Sequence, residues 1–160
     1  MLPESDYQIL RLTDLFYAAY PNPPYREIMI KQKRAYNCVL FQTHYDYFVC
    51  VPYRSEIHHS NAFLFQHSKR AREHSSGLDY SKIIIITNMD YIDSHETIID
   101  QDEYTETVRN IGTIKQEALR YVEDYVAVWN GAMKMSNKAY RKKYHYSTLQ
   151  YFHKELGIED

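Results

Sequence analysis

The sequence predicts an α+β fold, a twisted antiparallel sheet with surrounding helices, on three observations. Runs of β-branched and aromatic residues of strand length fill the first half of the chain, and the clear helical periodicity begins only after Asp100. The connections between strand candidates are short and polar, as hairpins require. A chain of 160 residues with 44% hydrophobic composition fits one domain, residues 1–160, with a sizeable core.

The first strand is expected from Tyr7 to Leu12, followed by a short helix behind Thr13-Asp14 that carries Leu15, Phe16 and Ala19 and stops at Pro21-Asn22-Pro23-Pro24. Tyr25 to Lys33 is ambiguous between loop and short helix. Strands follow at Tyr36 to Phe41 and from Tyr47 to a stop at Pro52, with His44-Tyr45-Asp46 between them as a hairpin connection. The second of these is expected to be central, with Arg54 and Ser55 exposed just past its end, either as loop solvation or as a site. Ala62 to Phe65 is a further short strand, and His67 to Ser76, polar and basic, is expected to be an exposed loop. Ile83 to Ile86 reads as a strand buried on both faces, and Asn88-Met89-Asp90 as a turn. One long helix is predicted from an Asp100/Glu103 capping box through Trp129 to Gly131. A shorter helix follows over Asn137 to Tyr144, and a last one is bounded by Ser147, Gln150 and Gly157.

The formal net charge of −2 hides an asymmetry. Between Asp79 and Glu106 there are eight acidic side chains and one basic, Lys82, so the remainder carries 18 basic against 13 acidic. The basic clusters are Lys31/Lys33/Arg34, Lys69/Arg70/Arg72 and Arg141/Lys142/Lys143. Cys38 and Cys50 lack metal-type spacing and fall on neighbouring strand candidates, as buried reduced thiols of a cytoplasmic protein would. No apolar run reaches the length of a membrane span. Seventeen tyrosines fit either stacking on single-stranded RNA or a β-rich core.

No cofactor or metal is predicted. Glycine-rich phosphate loops, dinucleotide fingerprints and nucleophile elbows are absent, and His58-His59 point to opposite faces of an extended chain, with no pair to complete a ligand set. What remains is a set of hydroxyl, basic and aromatic residues near strand ends: Lys33, Arg34, Tyr36, Arg54, Ser55, His58, Ser81 and Lys82. Such a set suits metal-independent RNA cleavage. There the 2′-hydroxyl attacks its own phosphate, and the protein supplies a proton acceptor, a proton donor and cations for the phosphorane.

Several blocks carry a family resemblance: Arg34-Ala35-Tyr36, Tyr47 to Ser55, Gly77-Leu78-Asp79-Tyr80-Ser81-Lys82, Ile99-Asp100 with Glu103-Tyr104, and the tail from Tyr146 to Leu156. On these, the stretch from about Lys31 to Gly157 resembles the type III toxin-antitoxin endoribonucleases of the ToxN/AbiQ group, its TenpN-like branch in particular. The resemblance implies a Kid/MazF-like sheet and a metal-independent endoribonuclease of bacterial phage defence that cuts messenger RNA. It also implies inhibition by a small repeated antitoxin RNA in a closed RNA-protein assembly. The family's serine falls on Ser55 and its upstream basic residue on Arg34, with Lys31 and Lys33 beside it, while Lys82 and Lys115 match further lysines. The chain departs from ToxN in having Pro52-Tyr53-Arg54-Ser55 where ToxN has Thr-Ser followed by a lysine, and arginine never readily accepts a proton. The expected catalytic set is therefore Ser55, Arg54, Arg34, Lys33 and His58, the last two moving protons. Tyr36, Tyr53, Lys31, Lys82, Lys115, Lys69, Arg70 and Arg72 are the expected RNA contacts. A non-catalytic RNA-binding module and a ribonuclease governed by a protein antitoxin are the alternatives.

Overall fold

The computed structural model describes residues 7–29, 36–93, 95, 97 and 99–159. Among the described residues seven strands form one antiparallel open sheet: β1 (Tyr7–Leu12), β2 (Asn37–Gln42), β3 (Phe48–Arg54), β4 (Ala62–Leu64), β5 (Gly77–Asp79), β6 (Ile84–Ile86) and β7 (Ile92–Asp93). The order is β4-β5-β3-β2-β1-β7, with β6 also on β3. Five α-helices among the described residues accompany it: α1 (Asp14–Ala19), α2 (Lys69–His74), α3 (Gln101–Arg109), α4 (Ile111–Trp129) and α5 (Asn137–Tyr144). The α+β architecture is therefore as the sequence predicts, with β3 in the middle of the sheet. Among the described residues no helix is long and apolar enough to cross a membrane.

β3 holds two partners along one edge. Phe48 to Cys50 pair with β6, Tyr53 and Arg54 pair with β5, and β2 covers the opposite edge from Phe48 to Pro52. Pro52 does not end the strand, as the sequence suggested. It stands at the gap between β6 and β5, where a residue without an N–H costs the ladder least. The core lies between the sheet and α4, which contributes Ile114, Ala118, Tyr121, Val122 and Tyr125. Cys38 and Cys50 sit in it as free buried thiols, and burial pushes both up, Cys38 to about 12.

Four further expectations are corrected. The stretch from His67 to Ser76 is not a bare loop: Ser68 accepts a hydrogen bond from the Ala71 amide and starts α2, which ends at Ser75 in the left-handed conformation. The long helix is two, broken at Asn110, whose side-chain amide donates to the Glu106 carbonyl 2.9 Å away and turns the backbone out of line. Asp100 makes no capping bond, because its carboxylate goes to Arg70 at 3.0 Å. The segment after Ser147 is a 3-10 turn over Thr148–Tyr151 followed by further turns. Thr148 Oγ1 donates to the carbonyls of Ser81 and Ile83, which holds the chain against β6 and prevents a regular helix.

Most tyrosines are core rings with their hydroxyls at a polar rim. Tyr20 donates to Glu155 at 2.9 Å, Tyr80 to Glu117 at 2.7 Å, Tyr144 to the Tyr121 carbonyl at 2.8 Å, and Tyr151 to Glu27. That accounts for much of the tyrosine content without RNA.

Candidate functional site

β5 ends at Asp79, and a 3-10 turn over Tyr80–Lys82 leads from it to β6. Asp79 is wholly buried and both its oxygens are used inward. Oδ1 accepts from the Ser81 amide (2.9 Å) and hydroxyl (2.6 Å), which is what shapes the turn. Oδ2 accepts from Arg54 Nη1 at 2.7 Å and faces His59 Nε2 at 3.2 Å. Arg54 reaches it because the pairing of Tyr53 and Arg54 with Leu78 and Gly77 runs the end of β3 alongside β5. Gly77 permits the close approach of β4 on the other side, since a Cβ there would lie 2.1 Å from the Phe63 carbonyl oxygen.

His59 Nδ1 accepts from the Asn61 amide at 3.1 Å, so the ring proton belongs on Nε2, toward Asp79. Both nitrogens are thereby engaged, and His59 holds Asp79 in place. Lys82 completes the group. It lies half-buried on a narrow crevice of about 10 Å³, with Tyr17, Met29, Tyr36 and Pro52 among its neighbours. Burial pushes its ammonium below the ordinary lysine value, Arg54 adds to that, and Asp79 and Glu27 oppose it. Arg54 thus bonds a carboxylate whose other bonds are satisfied inside the protein, and Lys82 stands near enough to feel the charge of both without an ion pair to Asp79. Arg54 is bonded there through Nη1, its side chain is 32% exposed, and its outer donors can hold an oxyanion such as a phosphodiester. Among the described residues no three His, Cys, Asp or Glu side chains assemble as a metal set.

Of the residues predicted from sequence, the structure brings Arg54 and Lys82 together and adds Asp79, His59 and Ser81. Ser55 follows Arg54 where the chain leaves the sheet, half-exposed, and its hydroxyl has no partner among the described residues. Tyr36 joins the site as a wall of the Lys82 crevice. His58 does not join it. Its side chain is 74% exposed and lies 3.5 Å from Glu56, because the neighbouring His59 is the one that turns inward. Tyr53 is no stacking platform: its ring is in the core and its hydroxyl is 2.8 Å from Thr107 Oγ1. Burial pushes that hydroxyl well above the usual tyrosine range.

The Lys69/Arg70/Arg72 cluster is partly spent within the fold. The Lys69 amide donates to Asp102 at 2.8 Å, and Arg70 pairs with Asp100 at 3.0 Å and Glu103 at 4.0 Å. The Gln66 and His67 amides donate to Glu106, so α2 and the residues before it dock on the acidic start of α3. Arg72 stays exposed on α2, and Lys115 is half-buried on the first turns of α4. Lys31, Lys33 and Arg34 lie outside the described residues. Sequence reasoning missed Asp79 and His59. The Asp79-x-Ser81 spacing was the available signal, since an aspartate two residues before a serine forms such a turn. Comparison with family models, characterised proteins and solved structures returns no match.

Proposed function

We propose that the chain is a metal-independent endoribonuclease of the type III toxin class. In this reading the 2′-oxygen attacks the adjacent phosphorus, the bond to the 5′-oxygen breaks, and the products are a 2′,3′-cyclic phosphate and a 5′-hydroxyl. Arg54 holds the non-bridging oxygens and neutralises the phosphorane. The Lys82 ammonium, eased toward proton release by burial, protonates the departing 5′-oxygen. Ser55 orients the 2′-hydroxyl, whose proton leaves for solvent. Asp79 and His59 are positioning residues behind Arg54. A small repeated antitoxin RNA, itself a substrate, occupies the same cations and silences the enzyme.

The observation that carries this reading is Arg54 at the end of the central strand, bonded to an inward-committed Asp79 and partly exposed, with the half-buried Lys82 near enough to feel the charge of both. A second reading, an RNA-binding module that never cuts, is favoured by His59, whose two engaged nitrogens leave no imidazole for proton transfer. Incubating the purified protein with total RNA in excess chelator and analysing the ends formed decides between them. Discrete cuts ending in cyclic phosphate, lost in Lys82→Met and reduced in Ser55→Ala, support the enzyme. Intact RNA bound to folded protein leaves the module.

A further inference from the structure

The outer face of α5 is set apart by its periodicity. Lys138, Arg141, Lys142 and His145 follow at steps of three, one and three residues, the spacing that places side chains on one face of a helix, and all four are exposed. The opposite face is taken up by packing. Tyr144 is buried, Tyr140 is half-buried beside Trp129 and Tyr125, and Lys143 is drawn inward to Asp124 at 3.4 Å. No acidic residue occurs in α5, and among the described residues Lys138, Arg141 and Lys142 make no ion pair.

Dipole compensation explains cations only at the C-terminal turn. Lys138 is in the first turn, where a positive charge opposes the dipole, so the dipole does not account for the whole stripe. Immediately beyond it Tyr146 is 69% exposed, the largest exposure among the large hydrophobic side chains described, with its ring T-shaped against His145 at a centroid distance of 4.5 Å. The end of α5 is also tied to the candidate site. Asn61 Nδ2 donates to the carbonyls of Lys142 and Lys143, each at 3.4 Å, while the Asn61 amide donates to His59 and its carbonyl accepts from the Tyr80 amide.

We propose that this face of α5 is a landing surface for the phosphodiester backbone of single-stranded RNA, with Tyr146 stacking an unpaired base and Asn61 joining the surface to the loop behind Arg54. The stripe is about 10 Å long at 1.5 Å per residue, room for two or three successive phosphates. It rests on the reading of the chain as an RNA-processing protein. A lipid surface is disfavoured because the outward face carries cations without the apolar residues that enter a bilayer. Of the two basic clusters within the described residues, the one on α2 is partly engaged by α3 through Arg70, whereas Lys138, Arg141 and Lys142 make no ion pair.

The test uses a fluorescent 2′-O-methyl RNA of about twelve nucleotides, which cannot be cut by 2′-oxygen attack, titrated between about 50 and about 200 mM KCl. Lys138→Gln/Arg141→Gln/Lys142→Gln is expected to bind at least about tenfold more weakly than the parent, with a log–log salt slope shallower by about 2, since each phosphate contact on a single strand contributes about 0.7. Tyr146→Ala is expected to weaken binding about tenfold without changing the slope. Arg109→Gln/Arg120→Gln/Lys154→Gln, three exposed cations outside α5, controls for net charge and is expected to change the slope by less than half as much. Unfolding midpoints confirm that each variant is folded. Equal affinity and slope in parent and triple variant overturn the proposal, as do an equal loss in the charge control and binding to anionic phosphatidylserine vesicles in place of RNA. RNA held through α5 but never cut leaves the surface standing and removes the endoribonuclease reading. Cutting with α5-independent binding does the reverse.

Discussion

Removing the Asp79 carboxylate tests the centre of the site. In Asp79→Ala, the Ser81 amide and hydroxyl lose an acceptor at 2.9 and 2.6 Å while Ser81 stays only 7% exposed, so water cannot easily replace it. Two buried donors left unpaired cost about 1–3 kcal/mol each. Arg54 and His59 lose their acceptor too, but their side chains are 32% and 33% exposed, and solvent limits that loss to about 1 kcal/mol together. The expected destabilisation is about 4 kcal/mol, which for a domain of this size lowers the thermal midpoint by about 8–16 °C. Asp79→Asn keeps an oxygen for Ser81 and is expected to lose about half as much. Urea unfolding and calorimetry of the two variants measure this. A loss below about 1 kcal/mol in Asp79→Ala would refute the view that the carboxylate shapes the turn.

Three other expectations follow from the same geometry. Lys82 is held below its ordinary value of 10.5, so between its folded and unfolded values the unfolded chain binds more protons and stability rises with pH; Lys82→Met is expected to flatten that rise in unfolding free energies measured across the alkaline range. If its ammonium is the acid, cleavage declines as pH climbs through that same depressed value, and Lys82→Arg, whose guanidinium does not readily release a proton, is expected to lower cleavage across the range and remove that decline. Tyr53→Phe removes the 2.8 Å bond to Thr107, which still donates to the Glu103 carbonyl at 2.8 Å, so it is expected to cost about 1 kcal/mol and leave RNA affinity unchanged in a titration. Gly77→Ala forces a Cβ to within 2.1 Å of the Phe63 oxygen, a backbone clash expected to part β4 from β5 and cost more than about 3 kcal/mol by urea unfolding; a smaller loss would mean that the pairing is not as described.

What could be read from sequence follows from which signals are local. The isoleucine run and the strand from Tyr47 declare themselves because β-branched side chains suit a pleated, buried surface. α2 was hidden because it buries no residue and so has no apolar period, leaving Ser68 as its one local mark. The break at Asn110 is invisible to periodicity because α3 and α4 each bury their own face, Thr107 on one and Ile114 on the other. The choice of His59 over His58 turns on the parity of a loop between two strands, which no spacing rule supplies. Asp79 read as one of eight acidic residues. Its identity as the inward member depends on Arg54, 25 positions earlier in the chain.

The position of the site can be traced to Pro52. A strand with an unbroken row of N–H groups would favour one continuous partner along each edge. β3 has a proline in the gap between β6 and β5, at a position that donates nothing to either. The chain uses the gap to turn: β5 leaves the sheet, Tyr80–Lys82 wraps through a 3-10 turn stabilised by Asp79, and the chain re-enters as β6 further down the same edge. A single turn therefore sets Lys82 on a crevice that Pro52 itself lines, while the strand beyond the proline carries Arg54 to Asp79. The two cations come into one neighbourhood because one strand changes partners, and a rigid central strand holds Arg54 more firmly than a loop could.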